Sequence, residues 1–388
     1  MKVALVHYWC VNMRGGEKVL ESLCELFPEA DIFTHVYVPE RMSDTIRRHT
    51  VHTTFIARMP RARTLYKAYL PLMPLALELL DLRSYDLVIS SESGPAKGVI
   101  TRADAMHICY CHTPMRYIWN MYHEYQEGMN VVAKAAMALA SHRLRQWDVT
   151  SAARVDHFVA NSHNVAGRIR KFYRRSAAVI HPPVDVAAFQ REHGSGTDDF
   201  YLCAGQLASY KRVDIAIEAF NRLGKPLVVI GEGEMYEKLR RQAGPNIKIL
   251  GRVGQDTLRE AYARCRALIF PGEEDFGIVP LEAMASGRPV IALGRGGALE
   301  TVIPGQTGIL FKEASAQALI EAILEFEHIQ ADFDPDLLAR HAALFDKGRF
   351  KREFNDFVAD VLEEGSGSCE SQNANESQGT VADGLVTA

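Results

Sequence analysis

Apolar residues along this chain fall into two kinds of segment. Some are short continuous runs. Others are longer stretches in which apolar positions recur every three or four residues. KVALVH (2–7), DIFTHVY (31–37), YDLVISS (85–91), MHICYCH (106–112) and HFVANS (157–162) are of the first kind and predict β-strands. GGEKVLESLCELF (15–27) is of the second kind and predicts a helix. The same grammar returns further on. DFYLCAGQ (199–206), PLVVIGEG (226–233), IKILG (247–251), ALIFPG (267–272), RPVIALG (288–294) and GILF (308–311) predict strands. RVDIAIEAFNRL (212–223) and EASAQALIEAILEFEHI (313–329) predict helices. Strand–helix alternation implies a mainly parallel sheet with helices on both faces. Each half is therefore expected to be a doubly wound α/β domain, and 388 residues suit two of them.

The break between the halves is marked by composition. HPPVDVAAFQREHGSGTDD, from residue 181, is rich in proline, glycine and polar residues. The expected organisation is a first domain over 1–182, a linker over 183–200 and a second domain over 201–345. A helix over 346–363 is expected to pack back toward the first domain. Residues 364–388 have few large apolar side chains to offset ordering entropy and are expected to be disordered. No short internal repeat is visible beyond the two similar halves.

Composition narrows the class. The formal net charge of −4 excludes the dominant basic footprint of a nucleic-acid-coating protein. Seven scattered cysteines do not form a disulfide framework, which points to a reduced, cytoplasmic chain. The first apolar run breaks at His7 with no small-residue cleavage site after it, so it reads as a strand rather than a signal peptide. No stretch reaches the roughly 18 apolar residues of a membrane span.

Open α/β sheets bind ligands beyond the carboxyl ends of their strands, so the residues there carry the candidate chemistry. Gly15-Gly16 opens a helix and is either an anion cradle or a tight turn. His112 follows a strand and can bond a sugar hydroxyl or move a proton, or simply bond a carbonyl. Arg116 and Trp119 nearby suit a sugar or a phosphate. In Gly205-Gln206-Leu207-Ala208-Ser209-Tyr210-Lys211-Arg212, Lys211 stands where a phosphate would meet a point charge. The alternative, two solvated cations at a helix start, is disfavoured by the helix dipole. Gly231-Glu232-Gly233 is a turn by default.

The densest stretch is PGEEDFGIVPLEAMASGRPVIALG, 271–294. The backbone N–H groups of Ile278 and Val279 after Gly277 head a short helix and can cradle an anion or a hydroxyl. Pro280 is tolerated in its first turn, and Gly287 with Pro289 closes it. Glu274, seven intervening residues and Glu282 resemble the E-x7-E signature of the family-4 retaining glycosyltransferases. The resemblance extends to about residue 363. It includes Gly15-Gly16, the His112 segment, ANS at 160–162, PPVD at 182–185, Lys211-Arg212-Val213-Asp214, the Gly231 turn, Gly296-Gly297 with Glu300, and Phe345 to Phe354.

That resemblance implies a GT-B fold, two Rossmann-like domains facing a cleft, with a nucleotide sugar held mainly by the second. It implies that Glu274 addresses hydroxyls of the donor sugar and Glu282 the ribose. Phe276, Gly277, Ile278 and Val279 then line sugar and phosphate. Lys211 neutralises the diphosphate, with Gln206, Arg212, Gly231 and Gly233 beside it, and Gly15-Gly16 approaches from the other domain. His112 is expected near the sugar ring, and Arg252-Val253 at the base. Catalysis is assigned to Glu274, His112 and Lys211, with retention by front-face attack and neither metal nor cofactor. Glu273 and Asp275 are expected to be solvated. One departure is Gln206, where relatives often carry arginine. Either Lys211 with Arg212 suffices, or Arg14 or Arg116 substitutes.

The acceptor side rests on residues 45–77, which hold Arg47, Arg48, Arg58, Arg61, Arg63 and Lys67 and no acid, next to LPLMPLALELL. The segment is either a core helix with solvated cations or a surface for an anionic membrane face. With Arg58, Arg61, Arg63, Lys67 and Arg116 it is assigned to a glycan or lipid-linked saccharide acceptor at the inner membrane surface. Similarity of MRGGEKVLE, CYCHTPMRYIW and YKRVDIAIEAFN to bacterial mannosyltransferases of O-antigen and exopolysaccharide synthesis implies transfer of mannose from GDP-mannose. The alternatives are a UDP- or ADP-sugar transferase, a nucleotide-sugar epimerase and a silent sugar-binding protein. A dinucleotide oxidoreductase is disfavoured, since no G-x-G-x-x-G opens either half.

Overall fold

The computed structural model describes residues 1–190 and 196–378, the side chains of 365–378 excepted. The first sheet has seven strands, β1 (Val3–His7), β2 (Asp31–Thr34), β3 (Val51–Thr53), β4 (Leu87–Glu92), β5 (Met106–Cys111), β6 (His157–Ala160) and β7 (Ala178–Val179). Their order is β3-β2-β1-β4-β5-β6-β7, and every pairing is parallel. The second has six, β8 (Tyr201–Ala204), β9 (Leu227–Ile230), β10 (Ile247–Gly251), β11 (Leu268–Phe270), β12 (Val290–Leu293) and β13 (Gly308–Phe311). These run β10-β9-β8-β11-β12-β13, again all parallel. Parallel strands need helical crossovers that cover both faces, which is why β1, β4 and β12 are buried at every position.

Strand order reverses between β1 and β4 in the first sheet and between β8 and β11 in the second. A crevice opens at such a switch point beyond the carboxyl ends. The second domain has one large core, with Tyr201, Phe220, Met284 and Phe326 at its centre. Val186 and Phe189, from the stretch 183–200, belong to that core. Residues 191–195 of the same stretch lie outside the described residues.

The last helix, Lys347–Gln378, starts beside the second domain, yet Phe350, Phe354, Val358 and Val361 are buried in the core of the first. Full burial of a side chain of this size is worth about 1.5–3 kcal/mol, so Phe350 and Phe354, both against the Tyr110 ring, fasten this helix to the first domain, and Lys347 and Lys351 pair with Glu25 of the helix Gly15–Leu26. Its helical backbone runs on into the stretch 364–388; residues 379–388 lie outside the described residues. Among the described residues no helix is long and apolar enough to cross a membrane.

Candidate active site

A cavity of about 620 Å³ lies where the residues following β1, β4 and β5 meet those following β8 and β11. The first domain contributes Arg14, Gly15, Gly16 and His112. From the second come Gln206, Lys211, Gly231, Arg252, Val253 and Glu274. Phe276, Gly277, Ile278, Val279 and Glu282 form one further side. Tyr8, Asn12 and Tyr262 also line it, and no local motif marks them in the sequence; Tyr210, from the Gly205–Arg212 segment, joins them.

Two acids in this wall have distinct partners. Lys211 Nζ lies 2.6 Å from Glu274 Oε1. Burial pulls the lysine down, but Glu274 with Tyr210 outweighs it and holds the ammonium above its usual range. Glu282 Oε2 accepts from the Tyr262 hydroxyl at 3.0 Å, and Lys18 of the first domain approaches Oε1 at 4.0 Å. Burial pushes the Glu282 carboxyl up, and Lys18 and the Tyr262 hydroxyl oppose it. Between them Gly277 caps the helix Ile278–Ala285 with φ of 95°, a left-handed conformation that favours glycine. The unpaired N–H groups of the first turn therefore open on the cavity.

His112 donates its backbone N–H to Glu92 at 2.7 Å, and its Nε2 lies 2.8 Å from Ser91 Oγ. Burial lowers its pKa to about 4, so the ring is neutral at neutral pH. Arg14 Nη1 donates to Gln206 Oε1 at 3.2 Å. Of the two arginines considered as substitutes at this position, Arg14 is therefore the one beside Gln206.

Arg116 is elsewhere. Assigned to the acceptor with Arg58, Arg61, Arg63 and Lys67, it is buried, at 8% exposure. It lies over the Tyr210 ring at 4.9 Å and donates to the Glu273 carbonyl at 3.2 Å and to Asp275 Oδ2 at 3.4 Å. Asp275 is correspondingly not a free, solvated acid, and Glu273, although its side chain is 38% exposed, is paired as well. Arg168 pairs with Asp275 and reaches Glu273 Oε1 at 3.2 Å. Both guanidiniums come from the first domain, so these acids tie the two halves together. Ser162 Oγ adds a bond to the Asp275 carbonyl at 2.7 Å. Glu300 accepts the backbone N–H groups of His163 and Asn164 at 2.8 and 2.9 Å, capping the helix His163–Tyr173 across the same boundary.

Two residues assigned to the donor stand outside the cavity. Arg212 turns back onto Asp214, with Nε 3.2 Å from Oδ1. Gly233 is demanded by packing, because a Cβ there would overlap the Leu207 backbone. Gly231 lines the cavity, but it is also packing-limited, since a Cβ would overlap the Gly205 carbonyl. No residue of the basic segment lines the cavity, although Tyr66 packs on Trp9 at its edge. Ile56, Ala62, Met73, Ala76 and Leu77 are buried beneath it, while Leu65, Leu72, Leu75 and Leu79 are exposed. Arg63 Nη1 lies 3.6 Å from Glu40.

Comparison with known proteins agrees with this architecture. Residues 13–188 match the family described as Glycosyltransferase Family 4, and residues 185–339 the one described as Glycosyl transferases group 1. The O-antigen chain mannosyltransferase C of Escherichia coli is 28% identical over 192 residues, 45% of this chain and 51% of that one. A GDP-mannose-dependent monoacylated alpha-(1-6)-phosphatidylinositol monomannoside mannosyltransferase of Corynebacterium glutamicum is 32% identical over 160 residues, 37% of this chain and 42% of that one. The chain thus spans about half the length of the curated relatives it matches. Anabaena Alr3699/HepE, solved with UDP and glucose, superposes with a TM-score of 0.68 at 16% identity, over 92% of this chain and 99% of that one. With these two domains matched in tandem from residue 13 to residue 339, the chain belongs to the GT-B glycosyltransferases of family 4.

Proposed function

We propose that the protein is a retaining hexosyltransferase that moves mannose from GDP-mannose onto a lipid-linked saccharide or glycan acceptor in cell-surface polysaccharide synthesis. The observation that carries this reading is the convergence of Lys211, Glu274, Glu282 and the first turn of Ile278–Ala285 on one cavity, opposite Gly15 and Gly16. Transfer releases a nucleoside diphosphate, whose developing charge must be stabilised in a site that largely excludes water. Lys211, Arg14 and the N–H groups of Ile278 and Val279 supply that charge complement without calling on a metal. Glu274 accepts from hydroxyls of the donor sugar, Glu282 from the ribose, and His112 addresses the sugar ring. Arg252 and Val253 take the base.

Mannose and guanosine are supported by the Escherichia coli and Corynebacterium relatives, which are named for mannose and GDP-mannose. A thermal-shift series with GDP-, UDP- and ADP-sugars tests the donor. GDP-mannose is expected to give the largest shift. A larger one with a UDP- or ADP-sugar would reassign the donor, and none with any of them would overturn the transfer reading.

For the acceptor, Arg58, Arg61, Arg63 and Lys67 beside exposed Leu65, Leu72, Leu75 and Leu79 make an amphipathic, cationic face. It suits the inner surface of the cytoplasmic membrane, where such an acceptor would reside. Charge reversal of Arg58, Arg61 and Arg63 is expected to abolish flotation with anionic liposomes; unchanged flotation would remove the membrane from this account.

A further inference from the structure

A row of buried polar side chains leads away from His112. Ser91 Oγ lies 2.8 Å from His112 Nε2 and 3.1 Å from His7 Nδ1. Beyond it, His7 Nε2 faces Glu17 Oε1 at 4.0 Å and makes no hydrogen bond. His7 is 1% exposed and Glu17 2%. Register brings them together: β1 and β4 pair with His7 beside Ser91. Glu17 sits in the first turn of Gly15–Leu26, where its Oε2 accepts the Arg14 backbone N–H at 3.1 Å. Burying an imidazole, a hydroxyl and a carboxylate together is costly, so the arrangement calls for a use.

The chemistry of Ser91 supplies one. A hydroxyl carries a single proton, and Ser91 Oγ has these two imidazole nitrogens as its partners. If it donates to one, it accepts from the other, and the tautomers of His7 and His112 become linked. Suppose Glu17 is ionised. His7 then keeps its proton on Nε2, facing the carboxylate, and its Nδ1 accepts from Ser91. The serine oxygen accepts from His112 Nε2–H, and His112 Nδ1 is left as a bare lone pair. Suppose instead that Glu17 is protonated, so the acid proton faces His7 Nε2. His7 now donates from Nδ1, Ser91 donates to His112 Nε2, and His112 carries its proton on Nδ1. The second state holds one proton more than the first, on Glu17, and each of the other three groups has moved its own proton by one site. The 4.0 Å separation means that the charge of Glu17, not a shared proton, selects the tautomer of His7.

We propose that Glu17, His7 and Ser91 form a positioning chain that makes His112 a hydrogen-bond acceptor when Glu17 is ionised and a donor when Glu17 is protonated. The chain is poised near neutrality. Burial pushes the Glu17 carboxyl up to about 7, against the opposing pull of backbone N–H groups and Arg14. Tyr8, Cys10 and Tyr66 also face Glu17, and none of them titrates near neutrality, each being held above its usual range. His112 faces His7 and the Tyr8 and Tyr110 rings, and with its own pKa at about 4 it changes tautomer rather than charge. This deepens the sugar-transfer reading: it rests on that reading for what His112 addresses, a hydroxyl of the bound sugar.

The test needs no sugar, so its failure is separable from failure of that reading. Two-bond proton–nitrogen correlation spectra of 15N-histidine-labelled protein report which ring nitrogen carries the proton. The His112 signal is assigned by its loss in His112→Asn. Between pH about 6 and about 8, wild-type His112 is expected to pass from the Nδ1-protonated to the Nε2-protonated tautomer. Glu17→Gln retains an oxygen for the Arg14 N–H and turns its amide N–H toward His7. It should fix His112 with its proton on Nδ1 throughout. Ser91→Ala should leave His112 indifferent to pH, and it carries the test alone if Glu17→Gln does not fold. A wild-type His112 that keeps one tautomer, or one that still switches in either variant, would overturn the proposal.

Discussion

The ammonium of Lys211 lies 2.6 Å from the carboxylate of Glu274, and both line the cavity between the domains. Without a donor these two groups neutralise each other. A bound diphosphate would draw Lys211 away, and a sugar would supply hydroxyls to Glu274. Glu274→Gln removes the competing charge but keeps the shape. Transfer should fall about 100-fold or more, because two charge-assisted hydrogen bonds to the sugar weaken. Affinity for the free nucleoside diphosphate should hold or rise, because Lys211 is released. Calorimetry beside initial rates separates the two effects, and a parallel loss of both would remove Glu274 from the sugar.

Arg14 beside Gln206 makes a second expectation, since the first domain would then complete the phosphate site of the second. Arg14→Ala should weaken nucleoside diphosphate binding about tenfold or more, the scale of one charged hydrogen bond. Gln206→Arg in the same protein should restore much of the loss by supplying the cation from the other side. If the single variant binds normally, the second domain holds the phosphate without Arg14.

How much of this was legible in the sequence differs by element. Buried parallel strands are continuous apolar runs, and VALVH and LVISSE announce themselves. The edge strands Val51–Thr53 and Ala178–Val179 do not, being three and two residues long and only partly buried. The helix Val131–Ala152 is hidden in the sequence for a related reason, since few of its side chains are buried and its apolar stripe is weak. The glycine turns and Glu274 with Glu282 are local patterns and could be found. The fates of Glu273, Asp275 and Arg116 could not, because the hydrogen bonds that join them to the other domain span more than 100 residues of chain. His7 left a faint trace, as a titratable residue ending an apolar strand.

Asp275 holds Arg116 and Arg168 of the other domain, and its own carboxyl is raised by burial despite them. Asp275→Ala strands two guanidiniums at the domain boundary. Removing one partner of a buried ionic cluster costs about 3 kcal/mol, or roughly 10 °C in Tm for a domain of this size. Asp275→Asn should cost less, because its amide oxygen still accepts. Thermal unfolding with both variants decides the point. A Tm within about 2 °C of wild type for Asp275→Ala would mean that the tie between domains contributes little.

The last expectation concerns acid. His35 and His107 are buried with both ring nitrogens engaged. His35 meets Thr54 Oγ1 at 3.0 Å and the Pro95 carbonyl at 3.2 Å. His107 meets Ser90 Oγ at 2.9 Å and the Arg154 carbonyl at 3.2 Å. Burial lowers each of them, like His112, from 6.5 to about 4. Between those values the unfolded chain binds protons that the folded chain does not. Stability therefore rises with pH across this window and is lost as pH falls from 6.5 toward 4. Each histidine contributes on the order of 3 kcal/mol at most. Glu17 acts in the opposite sense. Its folded carboxyl binds a proton first, so it removes stability as pH rises from 4.5 to about 7. Glu92, Asp275 and Glu282, also raised by burial, act with Glu17, and His7 and His181, also lowered by burial, act with the other three imidazoles. Five imidazoles oppose four carboxyls, and Tm should fall below pH 6.5. His35→Gln should lower Tm at neutral pH and flatten that slope, since its side chain no longer titrates. A wild-type Tm that stays level down to pH about 4.5 would show that these imidazoles are solvated or charged in the fold.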